Sequence, residues 1–350
     1  MRAAFRIDRG AAGRVFGLAA LIAAAALASL PLWVDSGVTR LAGEMAYYLA
    51  LAQLWNLLAG YAGLVSVGQQ AYVGLGGYAL FVLCGSLGVH PLLAIPLAGA
   101  AAAALSLPIA LIVFRLRGAQ FAVGTWVVAE ICQLVIAQLP SLGGGSGQSL
   151  TAAVVRAIAA GRTTREMIFY WCSLAAGLAV LALVYGLLRS RIGLALTAIR
   201  DSEPASRSVG VDTFRTKLLT YVVVAFCTGA VGGLIFLQKL RISPDSGFGL
   251  QDWTVVVIFM VVIGGIGTIE GPFLGLFIYF ALRQLLADYG SWYLIILGCV
   301  AVFFMLYARD GIWGWISARF GLQLFPVRRH LVRVAPARRA SLDDAADPKG

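Results

Sequence analysis

Ten apolar runs follow one another along the 350 residues, separated by short polar or glycine-rich joins. They are Val15–Val34, Met45–Tyr61, Ala71–Leu87, Leu92–Phe114, Ala119–Leu139, Met167–Leu188, Leu218–Gln238, Trp253–Ile266, Pro272–Leu286 and Trp292–Ala308. A helix crossing a bilayer uses about 20 apolar residues. The pattern therefore predicts an all-α polytopic integral membrane protein with about ten transmembrane helices over residues 15–308. The first run follows Arg2, Arg6, Arg9 and Arg14, as a secretory leader would. At about 20 residues it exceeds a leader's apolar core of roughly 7–15, and further spans follow, so a retained helix is expected. The joins 62–70 and 267–271 are rich in glycine, and several runs are short enough for broken or re-entrant helices. Irregular backbone survives at membrane depth only where protein or a cavity covers it.

Composition agrees with this pattern. The chain is 60% hydrophobic and only 12% charged, where a soluble protein carries about 25% charged residues. Its net charge of +11 is unevenly placed. With ten spans, the segments 1–14, 62–70, 115–118, 189–217, 267–271 and 309–350 share one side of the membrane and hold 20 of the 27 Lys+Arg residues. By the positive-inside bias that side is the cytoplasm, which places both termini there. The charge is then an imprint of topology, and with no basic groove interleaved with aromatics a nucleic-acid partner is excluded. The five cysteines all lie in apolar runs and read as small core residues, not a disulfide or metal framework. Two histidines are too few for a histidine-built metal site. After Ala308 the chain turns polar, with Arg328, Arg329, Arg333, Arg338 and Arg339 ahead of Asp343, Asp344 and Asp347. This basic tail, 309–350, is expected to be a solvated or lipid-surface extension.

The longest loop on the basic side, 189–217, has its own order. Asp201 or Ser202 can cap a helix, Glu203 and Pro204 suit its first turn, and Gly210 suits a stop beyond its end. A short helix is thus held against the membrane by two flanking spans. It is either a connector with a well-formed cap or a docking helix that receives force from a soluble motor.

That loop, Ala198-Ile-Arg-Asp-Ser-Glu-Pro-Ala-Ser-Arg-Ser-Val-Gly-Val211, resembles the coupling loop of ABC importer permeases for branched-chain amino acids, in particular their M-type subunit. Other stretches agree, in the same order. Gly60–Tyr78 is similar to the family's early glycine-rich signature, Phe121–Glu130 to a helix bearing an acidic residue, and Ile242–Ser246 and Val262–Pro272 to its late segments. The resemblance covers about residues 45–315. It departs at Gln69 and Gln70, where many members carry His, at Glu270, where a large apolar residue is common, and at Pro204, which interrupts a Glu-x-Ala-Ala run. The resemblance implies a permease subunit of the bacterial inner membrane and no catalytic residue of its own. Its partners would be a second homologous permease, two ATPase subunits carrying ATP and Mg, a periplasmic solute-binding protein and membrane lipid. Asp201, Glu203, Pro204, Ala205 and Gly210 become the coupling positions. The solute would be a branched-chain or related amino acid, or a similar small polar solute such as urea or an amide.

Two features bear on this reading. Gly264-Gly-Ile-Gly-Thr-Ile-Glu-Gly-Pro272 lacks the lysine of a phosphate-binding loop, so ATP hydrolysis is expected on another chain. The segment reads instead as a turn between close-packed helices, and Gly229, Gly233, Gly264, Gly267 and Gly271 are expected to be packing glycines. Glu130 lies near the middle of its span, and Gln133, Gln69 and Gln70 are its polar companions along a candidate solute pathway. An ionisable group at that depth is by default functional, although a structural carboxyl bonded between helices competes with that reading. The glutamines could equally bond the backbone around them, and Gln53 and Asn56 read as interhelical links. Arg283 is expected to snorkel. On the far side, Gly143–Gly147 is expected to be a flexible break in loop 140–166. Arg156, Arg162, Arg165, Lys239, Arg241 and Asp245 there either form a solvated surface or meet a solute-binding protein. A rival class, an ion-gradient-driven carrier, would use Glu130 as its proton site.

Overall fold

A computed structural model describes residues 5–7, 22–159, 161–286, 292–307, 311–320 and 331–333. Each of the ten apolar runs falls on helix, the first through residues 22–32 alone. In chain order these are α1 (Ile22–Leu32), α2 (Ser36–Asn56), α3 (Gln69–Gly85), α4 (Pro91–Val113), α5 (Ala119–Ala137), α7 (Arg162–Arg189), α10 (Thr213–Lys239), α12 (Val256–Gly264), α13 (Gly271–Leu285) and α14 (Trp292–Tyr307). Shorter helices lie between or beyond them: α6 (Ala152–Ile158), α8 (Arg191–Asp201), α9 (Glu203–Ser208), α11 (Pro244–Phe248) and α15 (Gly311–Phe320). Helices α4, α5, α7, α10 and the stretch Pro244–Gly264 are long and apolar enough to cross a membrane. The chain is an all-α polytopic membrane protein.

The core forms around α10, which packs against α3 and α4 through small residues. A Cβ at Gly76 would overlap the Gly229 carbonyl, one at Gly232 the Val73 carbonyl, and one at Gly229 the Ala102 side chain. Lipid tails supply no hydrophobic drive between helices, so such close backbone approach maximises the van der Waals contact that holds them together. Beyond this seam the large buried side chains Phe236, Phe248 and Trp253 fill the interior. The predicted turn at 264–271 is present: α12 and α13 meet with Gly264 against the Gly271 carbonyl, so neither admits a side chain. Gly267 turns the chain at φ 76°. Gly233 is less confined: a Cβ there would meet the flexible end of Leu80 at 3.2 Å, with Ala98 and the Gly76 carbonyl in ordinary contact.

The predicted side assignment has a structural counterpart. A cavity of about 430 Å³ is lined together by residues 62–65 and 116–119 with Ile199, Arg200, Glu203 and Lys217, so three of the joins assigned to one side converge on one face. The 264–271 turn reaches the same face through Arg200 and Asn56, described below.

Three expectations need correction. The start of the tail is not an extension: α15 packs with Gly311 and Trp313 buried, Gly311 lying against Gly265. Ile312 and Trp313 supply the apolar surface that makes this possible. The farther basic cluster lies outside the described residues except for 331–333, which form β4 (Leu331–Arg333) against β1 (Phe5–Ile7) in antiparallel register. Gly143–Gly147 is not a loose break: the 3-10 turns Pro140–Leu142 and Gly144–Ser146 lead into β2 (Gln148–Ser149), which pairs with β3 (Arg241–Ile242). Gly147 fits directly over the Ile242 carbonyl. Finally, Arg283 does not simply snorkel: it pairs with Glu44 at 2.6 Å, because α2 begins well before Met45 and carries Glu44 to the end of α13.

Candidate functional site

Three groups of polar residues occupy three settings. The first is the α8–α9 face. Ser202, not Asp201, caps α9: its Oγ accepts from the Ala205 N–H at 3.4 Å. Pro204 sits in the first turn, where its missing N–H costs nothing. Asp201 ends α8 and pairs with its neighbour Arg200 at 3.2 Å. Gly210 takes φ 87°, a conformation open to glycine, and so allows the chain to turn from α9 into α10. Glu203 faces inward. Its two carboxylate oxygens accept from Arg207 Nη2 and Lys217 Nζ, both at 2.7 Å, which fastens α9 to the first turns of α10. Partial burial pushes the Glu203 carboxyl up, but the bonds and charges of Lys217 and Arg207 outweigh it and hold the group below its ordinary range. The exposed surface includes Leu194, Pro204, Ala205 and Val209, with Val209 78% exposed, beside polar residues such as Asp201 and Ser208.

The link between this face and the interior is Arg200. Its Nη1 donates to the Gly60 carbonyl at 2.8 Å. Gly60 lies in the π-helical turn Leu57–Tyr61 that ends α2, where widening of the helix frees carbonyls. One turn back, Asn56 holds the 264–271 turn from both sides. Its Oδ1 accepts from Gly267 N at 2.8 Å and its Nδ2 donates to Thr268 O at 2.7 Å. Gln53 Nε2 donates to Ile269 O at 2.7 Å. Asn56 and Gln53 are thus the interhelical links expected of them. Arg200, α2 and the α12–α13 turn form one hydrogen-bonded line.

The second setting holds Gln69 and Gln70, the first residues of α3. Both are buried. Gln69 Nε2 donates to Leu51 O at 3.0 Å, and the Thr254 hydroxyl donates to Gln70 Oε1 while accepting from the Gln70 N–H at 3.2 Å. The small cavity beside Gln69, closed by Trp55 and Tyr72, has only about 10 Å³. In this conformation the two glutamines are interior links.

The third setting is α5, whose inward face carries Phe121, Thr125 and Ala129. Trp126 and Glu130 lie on its outward side, joined by a bond from Trp126 Nε1 to Glu130 Oε1 at 2.9 Å. One turn on, Gln133 Nε2 donates to Asp245 Oδ1 of α11 at 3.0 Å. A polar stripe therefore descends the open flank of a membrane helix. The structure brings Glu130 and Gln133 into one stripe and leaves Gln69 and Gln70 apart from it. Sequence reasoning did not single out Arg200 or Asp245 for these roles. Arg200 stood within the loop motif, and nothing near it in the sequence pointed to Gly60, 140 positions away.

No group of residues able to hold a metal ion occurs among the described residues. The chain matches the family of branched-chain amino acid transport system permease components over residues 37–306. It is 26% identical over 321 residues to the high-affinity branched-chain amino acid transport permease LivM of Escherichia coli, covering 85% of this chain and 74% of that protein. The LivM of Salmonella typhimurium gives the same identity and coverage. A shorter likeness, 31% over 109 residues, is to the autoinducer 2 import permease LsrC of an Enterobacter species, 29% of this chain and 32% of that one. No solved structure matches. The matched relatives are permease proteins of transport systems, and this chain, with its family match spanning the helices just described, belongs to the branched-chain amino acid transport permeases.

Proposed function

We propose that this chain is one permease of an ATP-driven importer that moves branched-chain or related amino acids into the cytoplasm by alternating access. The observation that carries the reading is the line from Arg200 to the Gly60 carbonyl, and through Asn56 to the 264–271 turn. A load applied at α8–α9 reaches two interior helices and a turn along this line, as a subunit driven by a separate motor requires. Two ATPase subunits carrying ATP and Mg would dock on the exposed surface of Leu194, Pro204, Ala205 and Val209, on the cytoplasmic side. Glu203 and Gly210 then serve coupling from behind, one by tying α9 to α10 and the other by turning the chain.

The α5 stripe supports the position of a second, homologous permease. A carboxylate and an amide facing lipid tails would be costly, and a partner chain laid along α5 would turn Glu130 and Gln133 into the lining of a shared path. A periplasmic solute-binding protein would deliver solute to the face opposite α8 and α9.

The test is a co-expressed, purified complex in lipid vesicles, with solute uptake and ATP hydrolysis measured together. Arg200→Gln should leave the complex assembled and lower solute-stimulated hydrolysis and uptake together by about tenfold or more, as the loss of a charge-assisted bond of roughly 1.5–3 kcal/mol implies. Undiminished coupling in that variant, or purification of the chain as a stand-alone carrier working without ATP, would sink the reading.

A further inference from the structure

The face opposite α8 and α9 holds a cavity of about 750 Å³, within the roughly 300–1,000 Å³ of small-molecule sites. Its walls come from the N-terminal parts of α2 and α7, the C-terminal parts of α10 and α13, and the π-helical turn Gln251–Val255 with Val256 at the start of α12. Two ion pairs within it are internally balanced, Arg162 with Glu166 at 3.0 Å and Arg283 with Glu44 at 2.6 Å. What remains is uneven. Arg40, Arg165 and Lys239 line the cavity without a hydrogen-bond or ion-pair partner among the described residues, and the remaining carboxylate is that of Asp252.

The placement of these cations is informative. Arg162 and Arg165 occupy the opening turn of α7, where the helix N-terminus is already positive and a carboxylate would be the stabilising choice. Arg162 is offset by its i,i+4 pair with Glu166, whereas Arg165 adds its charge to the helix field at the cavity. The Lys239 ammonium lies 4.7 Å from the centre of the Trp253 ring and 5.5 Å from that of Phe236, against aromatic faces, with the charges of Asp252 and Glu44 near it but no ion pair formed. An apolar patch, from Tyr47 and Phe169, completes the wall.

We infer that this cavity binds the carboxylate of the transported solute, with Arg40, Arg165 and Lys239 as its cationic partners. Asp252 faces the α-ammonium of an amino acid, and the Tyr47–Phe169 wall takes its apolar side chain. The inference rests on the proposed import function for the choice of solute and goes beyond it by assigning a binding site within this single chain. A lipid phosphate shares the anionic chemistry, and the test separates the two.

The experiment uses the assembled transporter in phosphatidylcholine nanodiscs, without a solute-binding protein, and measures binding of radiolabelled L-leucine. The double variant Arg40→Gln/Arg165→Gln should weaken leucine binding about tenfold or more. L-Leucinamide, which lacks the carboxylate, should fail to compete. 4-Methylpentanoate, which lacks the ammonium, should compete, and Asp252→Asn should weaken leucine but not 4-methylpentanoate. Wild-type affinity in the double variant, equal competition by leucinamide, or no carboxylate-dependent binding of either probe overturns the site. So does loss of leucine binding when phosphatidylglycerol is added to the discs, which would assign the cavity to a headgroup. Solute-stimulated ATP hydrolysis, measured on the same discs after addition of the solute-binding protein, separates the two ideas. Coupled hydrolysis without carboxylate binding removes only this site, and carboxylate binding without coupling removes only the importer reading.

Discussion

Helices α10 and α5 are both apolar enough to cross a bilayer, yet 67% of the crossing segment of α10 is buried inside the chain and only 22% of that of α5. The buried helix spends its glycines on close contact: Gly229 and Gly232 let α3 and α4 approach to backbone distance. The open helix carries Trp126, Glu130 and Gln133 on its free flank. Apolar composition is thus a poor guide to which membrane helices form the interior. Small residues mark the helix that neighbours must approach. A polar stripe on an unburied helix marks a surface that another protein or a water-filled path must cover, since lipid cannot satisfy it.

The largest expected effect breaks the α10 side of this comparison. Gly232→Leu places a side chain on the Val73 carbonyl and should destabilise the fold by several kcal/mol, beyond the roughly 1–3 of ordinary overpacking. Val127→Leu on the open flank of α5, at 47% exposure, should be near neutral. Melting temperature and monodispersity in detergent provide the reading, and similar losses from both would remove the distinction. The next effect falls on function alone. Glu130→Gln should keep the chain folded and assembled while uptake drops about tenfold, the size of one lost charge-assisted interaction. If uptake is unchanged, the stripe serves only to pack against a partner. A milder change, Trp126→Phe, removes the donor that orients Glu130 and should cost less than Glu130→Gln in the same assay.

The smallest effect concerns α9, at the start of α10. The Glu203 carboxyl is held below its ordinary pKa of 4.5, so its tie to Lys217 and Arg207 is complete above that pH and is lost as pH falls through the lowered value. Amide exchange in α9, corrected for its intrinsic pH dependence, should therefore be flat from pH 7 to 5 and rise only in stronger acid. Glu203→Gln should exchange fast throughout, without that transition. A transition above pH 5 would mean that the two cations do not control the group.

Much of this architecture was legible in the sequence. Spanning helices need long apolar runs, and all ten runs fell on helix because the bilayer imposes that length directly. The 264–271 turn and the capped α9 were legible for a similar reason: glycine spacing, a capping serine and a proline act over a few residues. The sequence alone also carried the family, through short motifs in a fixed order.

Only the tertiary structure decided what those elements do to one another. Arg200 becomes a link to the interior because folding brings Gly60 to it across 140 positions. Gln69 and Gln70, alike in sequence to pathway residues, turn inward to Leu51 and Thr254, while Glu130 turns outward. The same holds for the cavity rimmed by Arg40, Arg165 and Lys239, which come from three separate helices. The physical reason is range. Apolar length, caps and turns are set by neighbouring residues, whereas the partner of a polar side chain is set by which helices pack together, and that depends on the whole assembly of close contacts around α10.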